Sequence, residues 1–164
     1  MISDSRRSFV AAVSFVVLLG FSEIRQAMAS APPGRYTVNA GTVVDNVLNL
    51  TWQRAVGGSF SSQGAALTYC SGLSLGGVAA GGWRLPRKLE LESIVDFSRK
   101  FPAIDPVVFP NTPTDPQGSA TSAGYFWTAS SYIPNTTYWW IVDFSLGGSG
   151  SGGGASPFFA RCVH

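Results

Sequence analysis

Residues 9–21 form one apolar run behind Arg6 and Arg7. It is shorter than the roughly 20 residues a membrane-spanning helix needs. Beyond it the pattern breaks into short periods. Residues 36–38 and 42–44 flank an Asn39-Ala40-Gly41 turn, and residues 48–52 alternate again, which predicts short antiparallel strands. Residues 62–73 read as a helix, with Ala66, Tyr69, Cys70 and Leu73 recurring at spacings of three or four. A second helix is predicted from Pro86, which fits a first helical position because its missing N–H would be unpaired there anyway. Leu91, Ile94, Val95 and Ser98 make one face, Arg99 and Lys100 its last turn, and Pro102 its stop. Residues 101–124 are Pro-rich and irregular, yet Ile104, Val107, Val108 and Phe109 imply that part of the segment packs down. Strand-like segments follow at 125–130, 138–145 and 158–163. The Gly/Ser run at 147–154 has no side chains to pack and predicts a flexible hairpin tip.

The basic start, the short apolar run and the tripeptide Ala27-Met28-Ala29 together predict a secretory signal peptide over residues 1–29. Cleavage is expected before Ser30, near Ala29, with Ala29-Ser30-Ala31 as the competing site and an uncleaved anchor as the alternative. No Cys follows the run, which argues against a lipid anchor. The remaining chain, 30–164, is long enough for one domain with a single core. It carries no further candidate membrane span, and it is expected outside the cytoplasm: secreted, periplasmic or at the cell surface.

Composition narrows the choices. Charged residues make up 12% of the 164-residue chain, against about 25% in an average soluble domain, and the formal net charge is +2. Residues 30–164 hold eight Lys and Arg against seven Asp and Glu. A polyanion binder driven by bulk charge, nucleic-acid binders included, would need a larger basic excess. Five Trp and eleven Phe exclude a disordered tail, and 19 Gly with 10 Pro exclude a coiled coil or helical bundle. Two Cys in an exported chain, Cys70 and Cys162, most simply form one disulfide from an early helix to the last strand. Two buried thiols, or one reactive thiol, are the alternatives.

The order of motifs carries a resemblance. Gly34-Arg35-Tyr36 leads to Asp45, then Leu50-Thr51-Trp52-Gln53, the Tyr69-Cys70 helix and Gly82-Trp83-Arg84-Leu85-Pro86. Residues 90–96, Ile104-Asp105, Phe109-Pro110, Tyr125-Phe126-Trp127-Thr128-Ala129-Ser130, residues 140–144 and Arg161-Cys162-Val163 follow. From about residue 34 to 164 the chain resembles the Lcl C-terminal domain family, the module at the end of bacterial collagen-like adhesins. The resemblance implies an α+β, C-type-lectin-like fold: two helices on a small antiparallel sheet, with a long irregular loop region, related to the formylglycine-generating sulfatase-modifying fold. It also implies a terminal-strand bridge through Cys70 and Cys162, and structural roles for Trp52, Trp83, Arg84, Leu85, Pro86, Trp127, Trp140 and Phe144. In the adhesins the module is associated with glycosaminoglycan binding and attachment. The chain departs from the pattern in lacking a collagen Gly-X-Y stretch, in placing Arg87 after the Leu-Pro, and in its long Gly/Ser tip.

Catalytic and metal chemistry finds little support. His164, the only histidine, is the last residue, where no third group holds it as a base. Zinc would need several His or Cys ligands, and the Glu-Pro-Asn and Trp-Asn-Asp motifs of calcium-dependent lectins are absent. Glu90 and Glu92 lie two apart on a helix and face different directions. No cofactor is expected. Strand alternation puts Trp140, Val142 and Phe144 on one face, expected to be core, with Trp139, Ile141 and Asp143 on the other. Tyr132, Tyr138 and Trp139 are then candidates for sugar stacking or protein contact. Arg87 and Lys88 form a candidate anion patch at the second helix, and Arg84 is expected in a buried ion pair.

The reading is therefore an exported, non-enzymatic binding module for an extracellular or cell-surface glycan, glycosaminoglycan-like or otherwise, or for a protein surface. The alternative is a structural or self-assembling cell-envelope protein.

Overall fold

The computed structural model describes residues 31–117, 122–153 and 155–164. The signal peptide and its cleavage site lie outside them. Eight strands and two helices follow in the order β1 (Tyr36–Val38), β2 (Thr42–Asp45), β3 (Leu50–Gln53), β4 (Ser59–Phe60), α1 (Gln63–Gly72), α2 (Lys88–Glu92), β5 (Tyr125–Ser131), β6 (Tyr138–Asp143), β7 (Ser149–Gly153) and β8 (Phe158–Phe159). The architecture is α+β, with two sheets where one small sheet was expected. Strands β1-β2-β3 form an antiparallel meander, and five strands run in the order β4-β8-β5-β6-β7. All pairings are antiparallel except the single parallel register of Phe126 with Phe159 between β5 and β8.

Local chemistry explains the elements. Asp45 closes the β2–β3 turn by accepting the amides of Val47 and Leu48, and Asn49 takes the left-handed conformation that Asn tolerates. Ser62 caps α1 by accepting the Ala65 amide, and Gln63, Ala66 and Cys70 form its buried stripe. The C-terminus joins the two halves. Val163 bridges both Trp52 and Arg84, and His164 exchanges backbone hydrogen bonds with Thr51. The Cys70–Cys162 disulfide ties α1 to this terminal segment, across a sequence separation of 92.

The five-stranded sheet separates two apolar clusters. Phe126, Val142 and Phe144 join Trp52, Leu91, Ile104 and Phe109 in one cluster. Trp127 and Ile141 join Cys70, Trp83, Leu85, Phe158 and Cys162 in the other. Buried indoles find acceptors where the fold provides them: Trp83 donates to the Leu75 carbonyl and Trp127 to that of Phe60.

Two expectations are corrected. The second helix starts two residues later than predicted, at Lys88, and ends at Glu92; Arg99 and Lys100 are not in it. After Glu92 the chain tightens into three-residue turns, with Ile94 donating to Leu91 and Val95 to Glu92, and the Asp96 amide then pairs with Ala103. Those turns keep Leu91 and Ile94 buried without a continuing helix. The Gly/Ser run supplies β7, which pairs with β6 from Ser149↔Val142 to Gly153↔Tyr138. A ladder needs only backbone groups, so absent side chains do not prevent it.

Candidate functional site

The predicted basic pair lies in a cleft of about 440 Å3 where α2 meets the β5–β6 hairpin. Buried Leu85 and Pro86 anchor the entry to α2, and the Pro86 carbonyl accepts the Ala129 amide from β5. Ser130 Oγ accepts the Lys88 amide at 3.0 Å, capping the helix from the sheet. Glu90 Oε2 accepts the Arg87 amide at 2.7 Å, one half of a capping box. Both Glu90 oxygens also take hydrogen bonds from Arg84, at 2.7 and 2.8 Å. The Arg84 guanidinium, first, and then the Arg87 amide hold the Glu90 carboxyl below its ordinary pKa, while Glu90 raises that of Arg84. The expected buried pair of Arg84 is an exposed one: its side chain is 46% accessible.

Trp140 forms the wall of the cleft. Lys88 Nζ stands 4.7 Å over its ring and 2.6 Å from Glu92 Oε1, so the ammonium is shared between an indole face and a carboxylate. Tyr132 meets the same indole edge-on, with ring centroids 5.0 Å apart. Arg87 is exposed and belongs to none of the four ion pairs among the described residues. Leu89 at the rim is 75% exposed. A two-residue offset in the β5–β6 register between Trp127 and Ser131 brings the Ser130 and Ser131 hydroxyls to this end. Thr128 Oγ1 fills the irregularity by donating to the Trp140 carbonyl at 2.7 Å.

The structure thus gathers Arg87, Lys88 and Tyr132 around Trp140. Tyr138, 39% exposed, lies on the same sheet face two residues away but outside the cleft lining. Trp139 points to the other face, half-buried against Trp127 at 6.4 Å. Trp140, expected in the core, is itself only half-buried. Both sheet faces are covered, so alternation alone does not tell core from cleft. Trp52, Trp83, Leu85, Trp127 and Phe144 are fully buried as structural residues. Ser130, Ser131 and Leu89 escaped the sequence reading, because no local pattern shows which strand caps α2.

Two other features were not foreseen. Arg161 is completely buried, and burial pushes its pKa down. A cavity of about 210 Å3 beside β1 is lined by Tyr36, Arg35, Phe97, Asp105 and others. Arg35 there is engaged by buried Asp45 at 2.8 Å and by the Ser93 carbonyl at 2.7 Å. Among the described residues no group of three or more His, Cys, Asp or Glu is arranged to hold a metal, and no helix is long and apolar enough to cross a membrane.

Two sheets stitched by a disulfide-closed C-terminus, with a basic-aromatic cleft at one end, define a small α+β module. The family model for the Lcl C-terminal domain matches residues 41–164, and the chain belongs to that family. Membership suggests an adhesion-related module. No match to the chain is found among curated proteins.

Proposed function

We propose that residues 30–164 form an exported, non-enzymatic binding module of C-type-lectin-like architecture whose α2–hairpin cleft recognises an anionic group on an extracellular or cell-surface glycan. The observation that carries this reading is the exposed Arg87 on the same cleft as the Trp140 indole. A guanidinium outside any ion pair offers a planar fork to a sulfate or carboxylate. Indole and leucine surface beside it can pack on the apolar face of a sugar ring, and Ser130 and Ser131 add hydroxyls. Glu90 supports a binding rather than a catalytic role, because a carboxylate bound by Arg84 through both oxygens is a poor general base.

The test is calorimetric titration of the mature chain with a heparin hexasaccharide at low salt. Affinity should fall about tenfold in Arg87→Ala, and further in the double variant with Lys88→Ala. No binding to sulfated or uronic saccharides, or equal affinity in the variants, overturns the reading.

A second reading, a self-assembling envelope protein, has one observation in its favour. Edge strand β7 carries no charge, proline or bulge of the kind that usually protects a sheet edge. A stable oligomer by size-exclusion chromatography with light scattering, abolished by Ser151→Pro, would favour it over the cleft.

A further inference from the structure

Strand β7 leaves a trough on the sheet face opposite the Trp140 cleft. Register places Tyr125 opposite Asp143 and Gly150 opposite Ile141, and these residues share the face of Trp127 and Trp139. Because Gly150 has no side chain, the surface sinks there to a groove of about 390 Å3. Its floor is Ile141 and Phe158, both buried, and its wall is Tyr125, 36% exposed and edge-on to Phe158 at 5.5 Å. Asp143 stands at one end. Its Oδ1 accepts the Ser145 amide at 2.7 Å, and it belongs to none of the four ion pairs among the described residues.

We propose that this trough is a second binding site, separate from the cleft, and that it takes an uncharged saccharide unit. An aromatic ring beside a carboxylate suits a ring with one apolar C–H face and vicinal hydroxyls: the ring stacks, and two hydroxyls donate to the carboxylate. The backbone of β7 at the sheet edge supplies further donors and acceptors within reach of the lining. Asp143 is the only charged residue lining the trough among the described residues, so a uronate or sulfated sugar is repelled where the cleft would attract it. A single sugar unit cannot engage both sites through the sheet. The trough therefore selects a different part of a glycan, or a different glycan, from the cleft.

Gly150 permits a clean test. A Cβ built there meets only Ile141 Cγ1, at 3.9 Å, so Gly150→Val fits the strand while its side chain fills the trough. The mature chain and its variants are titrated calorimetrically with uncharged hexasaccharides of glucose, mannose and N-acetylglucosamine, and separately with the heparin hexasaccharide. At least one uncharged hexasaccharide should bind, and Gly150→Val and Asp143→Asn should each weaken it about tenfold or more. Heparin affinity should stay within about twofold in both variants, or improve in Asp143→Asn, and Arg87→Ala should leave the uncharged ligand unaffected. Asp143→Asn keeps an acceptor for the Ser145 amide, so it remains informative even where Gly150→Val lowers the melting temperature. The proposal is overturned by absence of binding to every uncharged hexasaccharide, or by binding that survives both variants. Neither result bears on the cleft, which the heparin arm tests alone.

Discussion

The guanidinium carbon of Arg161 lies 4.8 Å over the ring of Phe109, in the interior, and Arg161 takes part in no ion pair among the described residues. Carbonyl and hydroxyl dipoles replace a counter-ion. One terminal nitrogen donates to the carbonyls of Gln53 and Arg54, and the other to Thr112 Oγ1 at 3.0 Å, which itself donates to the Phe109 carbonyl. The side chain thereby fastens the end of β3 and the Pro-rich segment to the C-terminal strand region. Burial is the force pushing its pKa down, and Nε has no partner.

Removing this side chain should take the donor from the buried Gln53 carbonyl and Thr112 hydroxyl and the part-buried Arg54 carbonyl, and leave a void beneath Phe109. Arg161→Ala is expected to cost about 3 kcal/mol or more in urea unfolding. Arg161→Met should cost less, because it fills volume and removes an unpaired charge whose burial is itself unfavourable. Equal stability in Arg161→Ala and wild type would show that the interior does not depend on the guanidinium.

The Cys70–Cys162 bridge closes a loop of about ninety residues, and such a crosslink is worth on the order of 4–5 kcal/mol through the unfolded chain. Reduction, or the Cys70→Ala/Cys162→Ala double variant, should lower the denaturant midpoint accordingly. An unchanged midpoint would mean that backbone pairing of Val163 and His164 with β3 and Arg84 holds the terminus unaided.

Much of this architecture was legible in the chain, for reasons that also mark where it stopped. The β1–β3 meander has clean alternation and Asn/Gly turns, and α1 has Ala66, Tyr69, Cys70 and Leu73 at spacings of three or four, so local rules suffice. The second helix is present but shorter than predicted, because Leu91, Ile94 and Val95 have helical spacing that a run of three-residue turns also satisfies. Strand β7 was invisible because reading it depended on side chains it does not have. Trp140 was expected in the core and is half-buried like Trp139, for a tertiary reason: β6 lies between two apolar clusters, so neither face is marked as outward. The basic pair of the cleft could be read from charges placed at a helix start, but its partners on β5 and β6 come from more than 40 residues away in sequence.

Two glycines should respond oppositely to the same substitution. Gly64 lies in the first turn of α1, exposed, with nothing within 4 Å of a Cβ built there. Gly64→Ala should stabilise by about 0.5–1 kcal/mol, through lost freedom in the unfolded chain. A Cβ on Gly152 would come within 2.3 Å of Phe158 Cε2, a buried ring with little room to yield. Gly152→Ala should therefore destabilise by about 1–3 kcal/mol and strip β7 from the edge. Amide hydrogen exchange on β6 and β7 distinguishes local detachment from global loss.

Tyr36 offers a pH signature with a defined sign. Tyr36 lines a small cavity, and its pKa is pushed up to about 12, first by burial and then by Asp45, Asp105 and Asp96; Arg35, 4.8 Å over the ring, opposes the shift. A raised phenol pKa means that folding favours the neutral form. The resulting stability is whole below pH 10, the ordinary phenol value, and is lost as pH rises from 10 through 12. Tyr36→Phe removes that dependence. The difference in unfolding free energy between wild type and Tyr36→Phe should be flat from pH 7 to 9.5 and then move against wild type. The difference in absorbance at 295 nm between wild type and Tyr36→Phe supplies an independent reading, since Tyr36 should ionise only near pH 12 or on unfolding. Ionisation of Tyr36 near pH 10 in the folded protein would place its hydroxyl in open solvent.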